Sequence, residues 1–257
     1  MTQSTSSNTA QGNSTTGTRY SSSRLVGLLA ELSQQSSTAP RSDIAQGLGS
    51  MIDLSESIVI SDTLAGLGKM SAAPVSTVGV EPMERLQLGH AAMVKSVMGS
   101  VARDSTSAKI TLGMFLDDQQ QDEARSQMEG PVDFQPYLKL YAALQRDLEF
   151  KARKIQADIR SVLAARSADG ARLAALDAAL ADPVAKHSRA MFAKIPVLLA
   201  NRFNAIASQK DTPALDVQEQ LSKLLQTILL AEIEARLMPA VGLIEALEEE
   251  LEPNVDK

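Results

Sequence analysis

The chain has 257 residues, 44% of them apolar, with 25 Lys+Arg against 31 Asp+Glu and a formal charge of −6. It contains no cysteine, no tryptophan and two histidines. That excludes disulfides, thiolate metal sites and cysteine nucleophiles within the chain, and leaves little room for histidine chemistry. The length is ample for a self-supporting core.

Residues 1–18 are Ser, Thr, Asn, Gln or Gly apart from Met1 and Ala10. Such a segment buries too little apolar surface to offset its own ordering entropy, so a disordered tail is expected there. It lacks the basic and apolar regions of a signal peptide, and no apolar run approaches the ~18–20 residues that span a bilayer. A cytoplasmic chain with no membrane span is the expectation.

From Ser21 onward the apolar residues recur at helical spacing. A serine cluster (Ser21–Ser23) precedes a short helix with Leu25, Leu28, Leu29 and Leu32 on one face. Ser42 or Asp43 is placed to cap a second helix carrying Ile44, Leu48, Met51 and Ile52. Residues 54–67 read as a third, with a β-strand at Ile58–Ile60 as the lesser reading. Pro82 opens a helix whose stripe is Met83, Leu86, His90, Met93, Val97 and Val101. Residues 104–130 hold two basic residues against six acidic ones and read as an acidic linker. A small apolar knot within it (Ile110, Leu112, Met114, Phe115, Leu116) is suited to docking.

Beyond Pro136 a helix is expected to about Ser167, with Tyr137, Tyr141, Leu144, Leu148, Ile155, Ile159 and Val162 on its apolar face. The next carries Leu173, Leu176 and Leu180, meets Pro183 with a restart or a kink, and is expected to kink at Pro196. The last runs from about Ala214 through Leu221, Leu225, Ile228, Ile233 and Leu237, breaks or bends at Pro239, and resumes through Leu243, Leu247 and Leu251. The fold class is therefore all-α. The expected organisation is a 1–18 tail, a small helical domain over 19–103, the 104–130 linker, and an elongated antiparallel bundle of three long helices over 131–257.

Several segments are familiar as a set: Tyr20–Leu32, Pro131–Phe134, Ile195–Phe203 and Leu229–Leu247. In this order, and with the polar gap between them, they resemble the proteobacterial family known as domain of unknown function 3348. The resemblance spans roughly residues 20–250. Family members often carry tryptophans in the second helix, where this chain has Leu48–Leu54 without one. The resemblance implies no activity and no catalytic residue. It does imply a neighbourhood, since members are often encoded near envelope proteins of OmpA/MotB-like and MotA-like type.

The residues themselves offer little chemistry. His90 and His187 each lie among apolar neighbours at helical spacing, without a second ligand, and read as packed core histidines. The acid pairs Asp117–Asp118 and Asp122–Glu123 and the run Glu248–Glu250 are adjacent in sequence and read as solvated surface. Gly47-Leu-Gly49 and Gly66-Leu-Gly68 lack the strand and third glycine of a nucleotide site. Residues 134–210 carry 13 basic against 6 acidic side chains, and 212–257 carry 3 against 10. Neutralisation of the last helix by the basic ones is the expectation, aided by the i,i+4 pairs Glu149–Arg153, Glu219–Lys223 and Glu232–Arg236. Seven of the ten methionines fall in 51–128, read first as core filler and second as an adaptable partner surface.

The function expected is that of a non-enzymatic helical adaptor or scaffold, serving an envelope-associated (OmpA/MotB-like) assembly. No catalytic residue, cofactor or metal is expected. Its partner is expected to be protein, with Leu243, Leu247 and Leu251 as the contact stripe and homo-oligomerisation left open. The alternative is a nucleic-acid-associated regulator using the basic helices of 134–210.

Overall fold

Apolar residues at three- and four-residue spacing become helix faces in the structure, a computed structural model that describes residues 24–33, 52–71, 81–101, 110–116, 132–208 and 213–249. Its α-helices are α1 (Arg24–Ser33), α2 (Leu54–Gly66), α3 (Pro82–Val101), α4 (Gln135–Arg166), α5 (Ala168–Phe192), α6 (Ile195–Ala207) and α7 (Ala214–Glu249). Among the described residues there is no strand, and Ile58–Ile60 is helical. The protein is an all-α bundle. The expected tail at 1–18, most of the second helix and most of the acidic linker lie outside the described residues.

The proline readings resolve one by one. Pro136 stands in the first turn of α4, where its missing N–H costs nothing. Pro183 is carried inside an unbroken α5, and Pro239 inside an unbroken α7, so the restart and the break expected there do not occur. Pro196 ends one helix rather than bending it: α5 stops at Phe192, and Pro196 lies in the first turn of α6. The α4–α5 corner is the single residue Ser167, between Arg166 and Ala168. Ser167 caps α5 by accepting from the Gly170 amide at 2.7 Å. A Cβ on Gly170 would lie 2.4 Å from the Leu163 carbonyl oxygen, so only glycine fits this corner.

α4 is the hub, packed against α5, α7 and α3. Its expected face is buried, from Tyr137 through Leu140, Tyr141, Leu144, Leu148 and Ile159 to Leu163. α5 meets it with small residues, Gly170, Ala171 and Ala174, while Leu173 is exposed and Leu176 and Leu180 are half-buried. Small side chains let the two backbones approach, and the leucine stripe read from the sequence turns to the flank.

The division into a small domain over 19–103 and a bundle over 131–257 is not the division of the core. Leu25 of α1 and Leu86, Met93, Val97 and Val101 of α3 belong to the same buried cluster as the faces of α4 and α7. α3 packs along both α7 and α4, with Arg85 on Asp158 at 3.2 Å and Gly89 directly beneath Ile155. Its stripe was as apolar as those of the long helices, which is why it joined them. The apolar knot does dock: Leu112 is buried, and Ile110 and Phe115 pack against the core, while Met114 faces out.

Candidate functional site

Within the core one group of polar side chains stands apart. Glu232 of α7 is fully buried. The Tyr141 hydroxyl of α4 donates to its Oε1, and Gln145 Nε2 donates to both carboxylate oxygens at 3.2 Å and to the Tyr141 oxygen at 2.7 Å. Arg236, one turn on, donates to Oε2 at 3.2 Å, and its side chain is only 8% exposed. Its guanidinium lies 4.1 Å above the ring of Phe192 from α5. Among the described residues Arg236 Nε has no hydrogen-bond partner, so part of this cation is held by an aromatic face instead.

Removing the carboxylate from water outweighs its donors and pushes the Glu232 carboxyl above the usual glutamate range. Burial, and then the adjacent carboxylate, raise the Tyr141 hydroxyl far above its ordinary value, so it remains a donor. The arrangement joins three helices through one charge pair. Burying ions costs several kcal/mol each before pairing, and their best-attested use is to fix which residues face one another. Chemically it is a closed cluster in which the carboxylate is fully engaged and, among the described residues, only Arg236 Nε goes without a hydrogen bond. Among the described residues no three potential ligands gather to hold a metal ion.

The i,i+4 pairs Glu149–Arg153, Glu219–Lys223 and Glu232–Arg236 all form. The basic helices, however, find their acids mainly within their own hairpin. Arg160 takes Asp177 at 2.6 Å, with Gln156 on the same carboxylate, and Arg189 takes Glu149 at 3.1 Å. Glu234 of α7 is met by Arg24 of α1. Antiparallel α4 and α5 bring these groups face to face at short range, which a tally of charge per segment could not show.

Two readings require correction. Leu243 and Leu247 are 4% and 3% exposed and belong to the core, so they are not a free contact stripe. α7 continues unbroken past Pro239, carrying its buried face through Ala240, Leu243, Ile244 and Leu247. Leu251 lies outside the described residues. His90 is exposed rather than packed: the buried residues of α3 are Leu86, Met93, Val97, Ser100 and Val101, and His90 is not among them. His187 is half-buried.

The exposed apolar surface lies instead on α2. Its N-terminus is a capping box, with Asp53 accepting from the Glu56 amide at 2.9 Å and Glu56 accepting from the Asp53 amide at 2.7 Å. Lys186 of α5 clasps that end through Asp53 at 3.0 Å and Glu56 at 3.5 Å, and Arg172 donates to the Leu67 carbonyl at 3.2 Å at the other. The Glu56 amide and then Lys186 hold the Asp53 carboxyl below the usual range. Between these tethers α2 contributes no buried residue. Leu54 is 80% exposed, Ile58 56%, and Val59 and Leu64 are open as well. The methionines of this region divide likewise: Met93 is buried, but Met70, Met83, Met98 and Met114 are exposed.

Fold and site together define a helical bundle with a sealed polar centre and an apolar helix held at its flank. A family model described as Protein of unknown function (DUF3348) matches residues 11–249, and the chain belongs to this family. Comparison with curated proteins and with solved structures gives no match. No helix among the described residues is long and apolar enough to cross a membrane.

Proposed function

We propose that the protein is a non-enzymatic helical adaptor or scaffold that works in the cytoplasm and docks a protein partner through α2. The observation that carries this reading is the mismatch between the composition of α2 and its surroundings. Leu54, Ile58, Val59, Ile60 and Leu64 are side chains that usually find an interior, yet no residue of α2 is buried and its ends are fastened by polar groups. Leu54 and Ile58 adjoin one another on one face, and exposed apolar side chains that adjoin are where interaction sites form. Met70, four residues past the end of α2, is exposed as well and suited to adaptable contact. The gene neighbourhood implied by the family supports service to an envelope-associated assembly of OmpA/MotB-like type.

The nucleic-acid alternative has less behind it. Arg146, Arg153 and Arg166 are exposed, but Arg160 is committed to Asp177 and interrupts the row. Affinity purification of the full chain from its native host, against Leu54→Asp and Ile58→Asp, tests the adaptor reading. Both variants should melt like the unaltered protein and lose the same co-purifying protein. Retention of every partner by both variants would overturn the reading.

A further inference from the structure

A second surface runs along α4. This helix carries seven cations (Lys139, Arg146, Lys151, Arg153, Lys154, Arg160, Arg166) and three acids. All three acids are already engaged: Asp147 by Lys151, Glu149 by Arg153 and Arg189, and Asp158 by Arg85. Lys139, Arg146 and Lys154 are exposed and have no ion-pair partner among the described residues. Lys139, Arg146 and Arg153 follow one another at intervals of seven, which places them on one line down the outward face, about 10.5 Å apart. Phe150 lies on the same face, one turn from Arg146 and one from Arg153 and Lys154, and is 69% exposed.

We infer that this ridge of Lys139, Arg146, Phe150 and Arg153 is the docking site for an acidic amphipathic helix of a partner protein. Charge complementarity selects an anionic occupant, and the spacing selects its form. Acids repeating every seventh residue on a helix recur at the same ~10.5 Å, as in the flanking charges of helix pairs. A DNA duplex presents one charge per about 1.7 Å of axis, a lattice to which the seven-residue interval bears no relation. Phe150 supplies the apolar contact that such a helix would cover and a phosphate backbone would not. The ridge shares only its class of partner with the adaptor reading, since its residues are on α4 and not on α2.

The test uses the full chain and a fluorescein-labelled 22-residue helical peptide with Glu at every seventh position and Leu beside each on one face. A control peptide has the same composition with its Glu residues spread around the helix. Fluorescence anisotropy should show the patterned peptide binding at least about tenfold tighter than the control, more weakly as salt rises. Arg146→Glu and Phe150→Ala should each lose about tenfold, and Lys223→Ala on α7 nothing. Should Arg146→Glu fail to fold, Arg146→Gln reads the same loss. Equal binding of the two peptides, indifference to Arg146 and Phe150, or tighter binding of a 20-nucleotide poly-dT strand or of phosphatidylserine vesicles would each overturn the inference. Ile58→Asp should leave peptide binding unchanged. If it abolishes a native co-purifying partner while the peptides fail to discriminate, the ridge is refuted and the adaptor reading stands.

Discussion

Glu232 is the residue whose state responds most directly to conditions. Its carboxyl is raised by burial, so the folded protein binds a proton there more tightly than the unfolded chain does. The stability linked to that proton is fully present below the unfolded value near 4.5 and is lost as pH rises through the folded one. Relative to Glu232→Gln, which does not titrate, the unaltered protein should gain stability on acidification from neutral pH toward 5. Urea melts of both across that window check it, and the opposite slope would mean that the ion pair outweighs burial. The partners of Glu232 should not cost the same. Arg236→Ala strands a buried charge and should cost about 3–5 kcal/mol. Tyr141→Phe removes one of several donors and should cost about 1–3 kcal/mol, and thermal melts of the two variants rank them. Tyr141 was legible as an apolar-face residue and Glu232–Arg236 as a helix-surface pair. Nothing in one dimension showed that α4 lays the first on top of the second.

At the scale of elements, apolar periodicity predicted α1, α3, α4 and α7 well, because each carries enough large side chains to bury a face. α5 was misread because its contact is made by absence of bulk. That makes glycine position informative. Gly170→Ala drives a Cβ against the Leu163 carbonyl, where backbone has no means to yield, and should destabilise by about 1–3 kcal/mol. Gly242→Ala, inside α7 with nothing within 4 Å of the added carbon, should stabilise by roughly 0.5–1 kcal/mol. At about 2–4 °C per kcal/mol for a chain of this size, calorimetry resolves the opposite signs. The expected contact stripe failed for a related reason. A narrow row of leucines beside acids looks the same whether a partner or the molecule's own interior covers it, and here the interior does.

For the whole molecule, the shared core changes what can be cut. α3 buries Leu86, Met93, Val97 and Val101. At about 1.5–3 kcal/mol for each large apolar side chain, that contribution is comparable to the ~5–15 kcal/mol by which a typical protein is stable at all. Fragment 132–249, which begins after the apparent boundary, should therefore be unfolded or bind a hydrophobic dye strongly. Fragment 81–249 should melt cooperatively. Circular dichroism melts of the two decide, and an independently cooperative 132–249 would restore the two-part division. That boundary was drawn from composition, and composition follows the linker between helices rather than the surfaces they share.

α2 stands outside this economy of burial. Because no residue of α2 belongs to the core, its release from α5 gives up the Lys186 and Arg172 tethers and a half-buried packing contact, and leaves the core cluster itself untouched. Its amide hydrogens should thus exchange with solvent deuterium by local opening, orders of magnitude faster than those of α4 and α7, and faster still in concentrated salt. A helix on that clock is already sampling the undocked state in which a competitor for its apolar side could capture it, with no unfolding step in the way.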